Sequence, residues 1–246
     1  MSSMKQLFGI DLGTTNSSIA HYSASKQTIE VLKFNDDSYQ LPSVVHYGPK
    51  GIVVGAPAAK KNDRNTIYEV KRFIGRAWDD PEVQRDVAGL SYTVVEENGR
   101  PAVEVKTAAG VERKSAVEVS AEVLRELKRT AEDANLWDGV EPFRAVITVP
   151  ASFTTNQRRA TEDCARIAGI DVLQIVNEPT AAALAYGLDK DFAELTLVVV
   201  DLGGGTLDVT VVQMRRGEFE VLASVGDAHL GGKDIDAAMM AYVLEQ

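Results

Sequence analysis

The chain has 246 residues, a length that suits one large domain or two lobes with a real core. Its 45% apolar and 25% charged residues are ordinary globular composition, and its net charge of −10 argues against the basic groove that nucleic-acid binding requires. A single cysteine, Cys164, rules out an intramolecular disulfide, no apolar run approaches the roughly 18 residues that span a bilayer, and residues 1–6 lack a signal-peptide pattern. We therefore expect a cytoplasmic protein with no nucleic-acid or membrane partner.

Short apolar runs alternate with helical patterns along the chain, which predicts an α/β fold. The first predicted strand, residues 7–10, ends at Asp11, and strands at 17–21 and 28–34 follow it as a meander. Residues 39–114 are more polar and irregular, so we interpret them as an insertion between this meander and the first long helix.

A second set of apolar runs predicts four more strands. Pro150 closes the first of them, and Asp201 directly follows the second, as Asp11 follows the first strand of the chain. The last three of these strands form a second meander. The four strands are predicted at 144–149, 196–200, 209–214 and 219–225.

Three helices have recognisable ends. Two of them open with the spacing of a capping box, a hydroxyl residue followed three positions later by Glu or Gln. The third opens with a proline at its first helical position. In order, the predicted helices run from Ser115 to about Asn135, from Thr154 to just before Gly169, and from Pro179 to Gly187.

The most informative feature is an internal repeat. Residues 10–15 read Ile-Asp-Leu-Gly-Thr-Thr and residues 200–206 read Val-Asp-Leu-Gly-Gly-Gly-Thr, so their aspartates lie 190 residues apart (201 − 11). Each copy is an apolar strand, then Asp-Leu-Gly, then small or hydroxyl residues and a second strand. A duplicated unit of this kind predicts two similar lobes that face each other across a cleft.

Both copies have the composition of a phosphate-binding turn. Glycine and threonine after a strand let backbone N–H groups approach an anion closely, and the threonine hydroxyls add donors. An aspartate at each strand end would repel that anion unless a cation intervened, and Mg²⁺ is a hard ion that carboxylates, phosphates and waters hold together. The alternative is an ordinary β-turn after each strand. The candidates are Gly13, Thr14, Thr15, Gly203, Gly204, Gly205 and Thr206 for phosphate, and Asp11, Asp201 and Asp208 for the metal.

Two further residues have simpler alternatives to a functional role. Lys71 lies in a short amphipathic stretch inside the insertion, where a lysine is usually a solvated surface charge. Glu178 precedes Pro179, where a carboxylate stabilises the N-terminus of a helix. The three histidines show no metal-ligand spacing with Cys164.

These residues lie in blocks that resemble, in order and across essentially the whole chain, those of the heat shock protein 70 (DnaK-type) chaperone family. Isolated glycine-rich turns are weak motifs, whereas this ordered set is specific. Residues 177–187, Asn-Glu-Pro-Thr-Ala-Ala-Ala-Leu-Ala-Tyr-Gly, match the family almost letter for letter. The other matching blocks are 11–17, 41–45, 70–76, 146–151, 201–208 and 226–232.

The resemblance implies roles for individual residues. Lys71 would reach the terminal phosphate and the attacking water, and Glu178 would help to orient that water. Pro150 and Arg158 would couple the nucleotide state to movement of the lobes. The implied cofactors are ATP or ADP, Mg²⁺ and, as a further cation, K⁺. The implied sets are Lys71, Glu178, Asp201 and Thr206 for catalysis, Gly13, Thr14, Thr15, Asn16, Gly203, Gly204, Gly205 and Thr206 for nucleotide, and Asp11, Asp201 and Asp208 for metal.

The resemblance also implies an actin-like ATPase (ribonuclease H-like) fold with duplicated lobes. Lobe I would take residues 1–190 with the insertion at about 39–115, and lobe II would begin within 191–246 and remain incomplete. Two residues depart from the family pattern. Leu207 replaces the usual phenylalanine, a core change, and Lys233 replaces the usual acidic residue, a reversed charge that would alter closure of the cleft.

We therefore expect the ATP-binding and ATP-hydrolysing domain of a DnaK-type chaperone, whose nucleotide state would control the binding of unfolded polypeptides by a domain absent here. J-domain co-chaperones and nucleotide exchange factors are the other implied partners. The alternative is an actin-like filament-forming ATPase, against which blocks 70–76 and 226–232 favour the chaperone. A sugar kinase of the same superfold is a third reading, but no separate aspartate motif suits the deprotonation of a sugar hydroxyl.

Overall fold

A computed structural model describes residues 6–34, 37–187, 194–215 and 218–245. The chain divides into two compact units: residues 1–147 with 154–175, and residues 148–153 with 176–246. The predicted lobe boundary between residues 190 and 191 lies outside the described residues and stays a prediction.

In the described part of the chain, twelve strands and four α-helices precede residue 178. The strands are β1 (Leu7–Asp11), β2 (Asn16–Ser23), β3 (Thr28–Val31), β4 (Leu41–Pro42), β5 (Val45–Gly48), β6 (Gly51–Val54), β7 (Thr66–Ile67), β8 (Thr93–Glu97), β9 (Arg100–Thr107), β10 (Gly110–Ser115), β11 (Arg144–Val149) and β12 (Asp171–Asn177). The helices are α1 (Ala56–Ala59), α2 (Pro81–Val87), α3 (Ala116–Asp133) and α4 (Thr155–Ile167), with a 3-10 helix at Val70–Phe73.

The main sheet has the strand order β12-β11-β1-β2-β3, and β4 pairs with β2 at its side. Strands β1, β2 and β3 are consecutive and antiparallel, as the predicted meander requires. Alternate residues of β1 and β2 are buried, including Phe8, Ile10 and Ile19, and the Phe8 ring stacks on Phe143 at 4.3 Å. The predicted strand at 144–149 is confirmed, whereas β3 ends at Val31, three residues earlier than predicted.

Helices α3 and α4 begin at the two predicted capping boxes. Ser115 Oγ accepts the Glu118 N–H at 3.2 Å while Glu118 Oε2 accepts the Ser115 N–H at 2.8 Å. Thr154 and Gln157 exchange the equivalent bonds at the start of α4. Helix α3 buries one apolar stripe, and the two helices pack against each other. Both helix starts are therefore confirmed.

The segment between the first meander and α3 is more regular than its sequence indicated. It contains two three-stranded antiparallel sheets, β6-β5-β7 and β10-β9-β8. The prediction of an irregular segment is wrong for two reasons. Strands β5, β6 and β7 have only two to four residues, too few for alternation to be visible. Strand β9 buries three successive residues, 101–103, and so lacks regular alternation.

The second unit contains α5 (Glu178–Gly187), β13 (Glu194–Leu202), β14 (Leu207–Arg215), β15 (Glu218–Asp227) and α6 (Gly232–Leu244). Its three strands form the predicted antiparallel meander, with a bulge between Val211 and Val212. Helix α5 packs on this sheet. Strand β12 and helix α6 were not predicted. Within the described ranges, no helix combines the length and apolarity needed to cross a membrane.

Candidate functional site

The first turn, between β1 and β2, brings its predicted residues together around Gly13. Asp11 ends β1 opposite Ser18, and Asn16 begins β2 opposite Pro42 of β4. A Cβ atom on Gly13 would lie 1.9 Å from the backbone oxygen of Asn16. No side chain fits in that space, so this turn requires glycine.

Two serines hold the backbone of Gly13. The Gly13 N–H donates to Ser17 Oγ at 3.2 Å, and the Gly13 carbonyl oxygen accepts from Ser43 Oγ at 2.8 Å. The two hydroxyl oxygens lie 2.9 Å apart. Because Ser43 directs its only hydrogen to Gly13, Ser17 is the donor in the serine–serine bond. Neither serine was predicted to have a role, since the two meet only when β4 pairs with β2.

Thr14 and Thr15 complete the first turn, and both are half-buried. The Thr15 carbonyl oxygen accepts the Ser43 N–H at 2.8 Å. Thr15 Oγ1, in contrast, is buried and has no hydrogen-bond partner among the residues that the structure describes. A buried hydroxyl without a partner is destabilising. An oxygen-rich ligand at this turn would supply one, so the turn fits a bound anion.

Lys71 is buried, so it is not the solvated surface charge that its sequence context suggested as the alternative. It lies in the 3-10 helix Val70–Phe73 and is 7% exposed. An ammonium group is costly to bury unless it is paired, and the long side chain loses rotamer freedom there. The lysine is therefore held in one place instead of sampling solvent.

Arg158 lies in the first turn of α4, where its N–H donates to the Thr154 carbonyl oxygen at 3.0 Å. The same turn is approached by Gly75, which follows the Lys71 segment and has a φ of 67°. A Cβ atom on Gly75 would lie 2.6 Å from Gln157 Cα and 2.7 Å from the Asn156 carbonyl oxygen. The end of the segment that carries Lys71 therefore packs against the first turn of α4.

The second turn, between β13 and β14, repeats the architecture of the first. The Gly203 N–H donates to the Thr206 carbonyl oxygen at 2.8 Å and closes the turn. Asp201 pairs with Asp208 across the two strands. In both copies the residue opposite the aspartate lies seven positions after it (18 − 11 = 7 and 208 − 201 = 7). The repeat in sequence is therefore a repeat in structure.

The start of α6 packs against this second turn. The Gly232 N–H donates to the Gly203 carbonyl oxygen at 3.0 Å. A Cβ atom on Gly231 would lie 2.4 Å from Gly205 N and 2.6 Å from the carbonyl carbon of Gly204. This contact was not predicted, although two adjacent glycines are a signal of close backbone approach.

Lys233, the residue that departs from the family pattern, lies in the first turn of α6. Its backbone N–H donates to the Gly204 carbonyl oxygen at 2.9 Å. The backbone of this residue therefore lies next to the second glycine turn. The effect of the reversed charge on closure of a cleft stays a prediction.

Glu178 and Pro150 also lie in the second unit. Glu178 is the first residue of α5 and is half-buried, a position at which a carboxylate interacts favourably with the helix dipole. Pro150 follows β11, and its carbonyl oxygen accepts the Phe153 N–H at 3.1 Å. The roles of Glu178 in hydrolysis and of Pro150 in coupling stay predictions.

The carboxylates suit a metal that is shared with a ligand. Among the described residues, no group of three or more His, Cys, Asp or Glu side chains could hold a metal ion. Mg²⁺ needs fewer protein ligands, because it retains waters and is usually held by one or two carboxylates with phosphate oxygens. Within the second unit, the facing pair Asp201 and Asp208 fits that donor set. Within the first unit, Asp11 at the end of β1 supplies one carboxylate of the same kind.

Comparisons with known proteins agree with this geometry. A model of the family described as Hsp70 protein matches residues 7–246. The protein named Chaperone protein DnaK, from Buchnera aphidicola subsp. Schizaphis graminum (strain Sg), is 44% identical over 252 residues, which cover 99% of this chain and 38% of that protein. The chain therefore spans well under half the length of this relative. The matched region contains both glycine turns, their aspartates and nearly every residue of the chain. The chain therefore belongs to the Hsp70 family and has its actin-like ATPase fold.

Proposed function

We propose that this chain is the ATP-binding and ATP-hydrolysing part of a DnaK-type chaperone. The observation that carries the proposal is the repeated strand–turn–strand. In the first copy Gly13 lies too close to the Asn16 carbonyl oxygen for any side chain, and in the second copy Gly231 packs closely against the backbone of Gly204 and Gly205. Such turns present N–H groups and hydroxyls to an anion. The name of the relative, a chaperone, supports the same reading.

The two turns would hold the phosphates of ATP or ADP. Glycines bring the backbone close to the phosphate oxygens, and threonine hydroxyls add donors, including the Thr15 hydroxyl that lacks a partner among the described residues. Mg²⁺ bound with the nucleotide would neutralise charge that develops on the phosphate oxygens. The proposed phosphate contacts are Gly13, Thr14, Thr15, Asn16, Gly203, Gly204, Gly205 and Thr206, and the carboxylates near Mg²⁺ are Asp11, Asp201 and Asp208.

Hydrolysis in this scheme depends on positioning and charge. Lys71 would donate to the terminal phosphate and the attacking water from its buried position. Glu178 would accept a hydrogen bond from that water and so fix its direction. Asp201 and Thr206 would complete the catalytic set. Phosphoryl transfer needs little covalent chemistry from the protein, so correct placement of these groups is the main requirement.

We extend the proposal to coupling, a further cation, partners and location, with support from the family resemblance and the composition. Pro150 and Arg158 would couple the nucleotide state to movement of the lobes, and K⁺ would be a further cation at the phosphates. The partners would be J-domain co-chaperones, a nucleotide exchange factor and unfolded polypeptide clients. A cytoplasmic location agrees with the single, buried cysteine.

Calorimetric titration of the chain with MgATP and MgADP tests the proposal. We expect saturable binding that weakens by about tenfold or more in the double variant Asp11→Asn/Asp201→Asn, because both substitutions remove charge near the bound metal. The matched control, Asp79→Asn/Asp133→Asn, removes the same charge from exposed positions and should bind as the unaltered chain does. Equal affinity in all three proteins, or no binding by the chain, would contradict the proposal.

A further inference from the structure

The backbone just before Lys71 is strained. Glu69, which directly precedes the 3-10 helix, has φ 55° and ψ 19°, the left-handed conformation. Residues with a Cβ atom rarely adopt it outside Asn and Asp, because the Cβ atom crowds the backbone. Such a conformation persists only where surrounding contacts enforce it, and strained residues of this kind cluster at functional sites.

The contacts that enforce it are ionic and almost buried. Glu69 Oε2 accepts from Arg72 Nε at 2.9 Å, and Arg72 Nη1 lies 4.0 Å from Asp86 Oδ1 of α2. The three side chains are only 13%, 10% and 11% exposed. The Arg72 backbone N–H also donates to the Glu69 carbonyl oxygen at 3.0 Å. In such surroundings, removing one partner leaves a poorly solvated charge, so the three groups hold one another in place.

The segment is fixed at its other end as well. Gly75 also has a left-handed φ, and the backbone of Gln157 leaves no room for a Cβ atom on it. Between these two points Val70, Phe73 and Ile74 are buried. Lys71, 7% exposed, lies in the middle of this restrained segment. The direction in which its side chain leaves the backbone is therefore set by the restraints at both ends.

We propose that Glu69, held by Arg72 and Asp86, is a positioning residue for Lys71. The inference rests on the proposed function, because it gives Glu69 a role in hydrolysis only through Lys71. Glu69 fixes the backbone conformation from which the lysine reaches the phosphate, while Arg72 and Asp86 keep Glu69 in its strained state. A small displacement of a correctly placed group can reduce a rate by a large factor without changing how tightly the substrate binds.

The test compares four forms of the full-length protein: unaltered, Glu69→Gln, Lys71→Ala, and the double variant. Single-turnover hydrolysis with radiolabelled ATP measures even slow residual rates, and calorimetry measures MgATP affinity. We expect Glu69→Gln to slow hydrolysis by about tenfold with affinity changed less than about twofold. In the Lys71→Ala background the same substitution should change the rate by less than about twofold, since the group that it positions is gone.

Two further variants separate positioning from general stability. Glu126→Gln breaks an equivalent Glu–Arg pair three residues apart on the exposed side of α3, and should leave hydrolysis unchanged. Glu69→Gly removes the carboxylate but adopts φ 55° without strain, so it should fold even if Glu69→Gln does not. It too should hydrolyse ATP slowly, because the contact with Arg72 is lost.

The outcomes distinguish this inference from the proposed function. If Lys71→Ala slows hydrolysis but both Glu69 variants hydrolyse normally, the positioning role is wrong and the proposed function stands. If Glu69→Gln slows hydrolysis by the same factor with or without Lys71, the residue supports the fold only, and the inference is overturned. If Lys71→Ala hydrolyses ATP at the unaltered rate, the role proposed for the lysine fails and the inference fails with it.

Discussion

At the scale of single residues, Gly13 is a position where the structure leaves no room for a side chain. Alanine there would place its methyl carbon 1.9 Å from the Asn16 carbonyl oxygen, so the turn must open. We expect Gly13→Ala to weaken MgATP binding by about tenfold or more, because the N–H groups of the turn would lose their common direction. Calorimetric titration measures the change.

Gly9, on the adjacent strand β1, provides the matched control for that substitution. No atom lies within 4 Å of the position that a Cβ atom on Gly9 would take. Gly9→Ala should therefore bind MgATP as the unaltered chain does. Similar losses in the two variants would mean that β1, and not the turn, determines binding.

Cys164 shows how burial changes the chemistry of one side chain. The thiol is fully buried and donates to the Ala160 carbonyl oxygen at 3.0 Å, and burial raises the pKa of Cys164 from 9.0 to about 12. The pKa of the thiol is higher in the folded chain than in the unfolded chain. The contribution of the neutral, buried thiol to the free energy of unfolding is therefore complete below pH 9. It is lost as the pH rises from 9 to 12.

We therefore expect the free energy of unfolding to fall more steeply with pH above 9 in the unaltered protein than in Cys164→Ala. The difference between the two slopes should be about 1.4 kcal/mol per pH unit for one proton. Denaturant titrations between about pH 8 and about pH 11 measure it. Parallel curves would show that the thiol ionises as easily in the folded chain as in the unfolded one.

At the scale of elements, the start of helix α6 acts as a support for the second glycine turn. Gly231→Ala would place a methyl carbon 2.4 Å from Gly205 N and push the turn away from the helix. We expect nucleotide affinity to fall by about tenfold or more, because the turn depends on this contact for its shape. The measurement is again calorimetric titration with MgATP.

Gly232, the next residue, offers the control for this variant. The nearest atoms to its hypothetical Cβ lie 3.9 Å away, and alanine keeps the N–H that donates to Gly203. Gly232→Ala should keep full affinity and, as a better helix former, should not lower stability. Loss of binding in Gly232→Ala alone would reverse our assignment of the contact.

Some helices and strands could be predicted from the sequence, and others could not. The capping boxes at Ser115 and Thr154 identified two helix starts correctly, because a cap is a local interaction between residues three positions apart. Residues 237–244 of helix α6 are apolar without interruption, so the helix lacks the single apolar stripe by which an amphipathic helix is recognised. Strand β12 carries apolar residues without regular alternation and was also missed.

At the scale of the whole molecule, net charge is the property with the clearest consequence. With a charge of −10, the chain should repel the phosphate backbone of DNA, whereas a nucleotide needs only a few local donors and a metal. Fluorescence anisotropy with a short labelled duplex at about 0.05 M salt should show no saturable binding at micromolar protein. Binding that weakened steeply with added salt would reveal a basic surface that composition conceals.

The residues of the proposed site can be selected from the amino-acid sequence because they stand in two short repeats and a set of ordered blocks. Asp11, Gly13, Asp201 and Gly203 are identified by local spacing, and spacing is a property of sequence alone. The strict need for glycine at position 13 comes from the nearness of the Asn16 carbonyl oxygen, which the fold of the turn creates. The role of each residue in hydrolysis stays a prediction until the variants are measured.

Three features depended on contacts between distant parts of the chain. The serine pair behind Gly13 exists because β4 lies beside β2, the Gly231 contact exists because α6 returns to the second turn, and Lys71 is buried because its segment packs against α3. A sequence records which groups can hydrogen-bond or pack, and local periodicity shows where strands and helices form. Which groups meet is decided by long-range packing, in which residues far apart in the chain jointly exclude water and satisfy one another's polar groups.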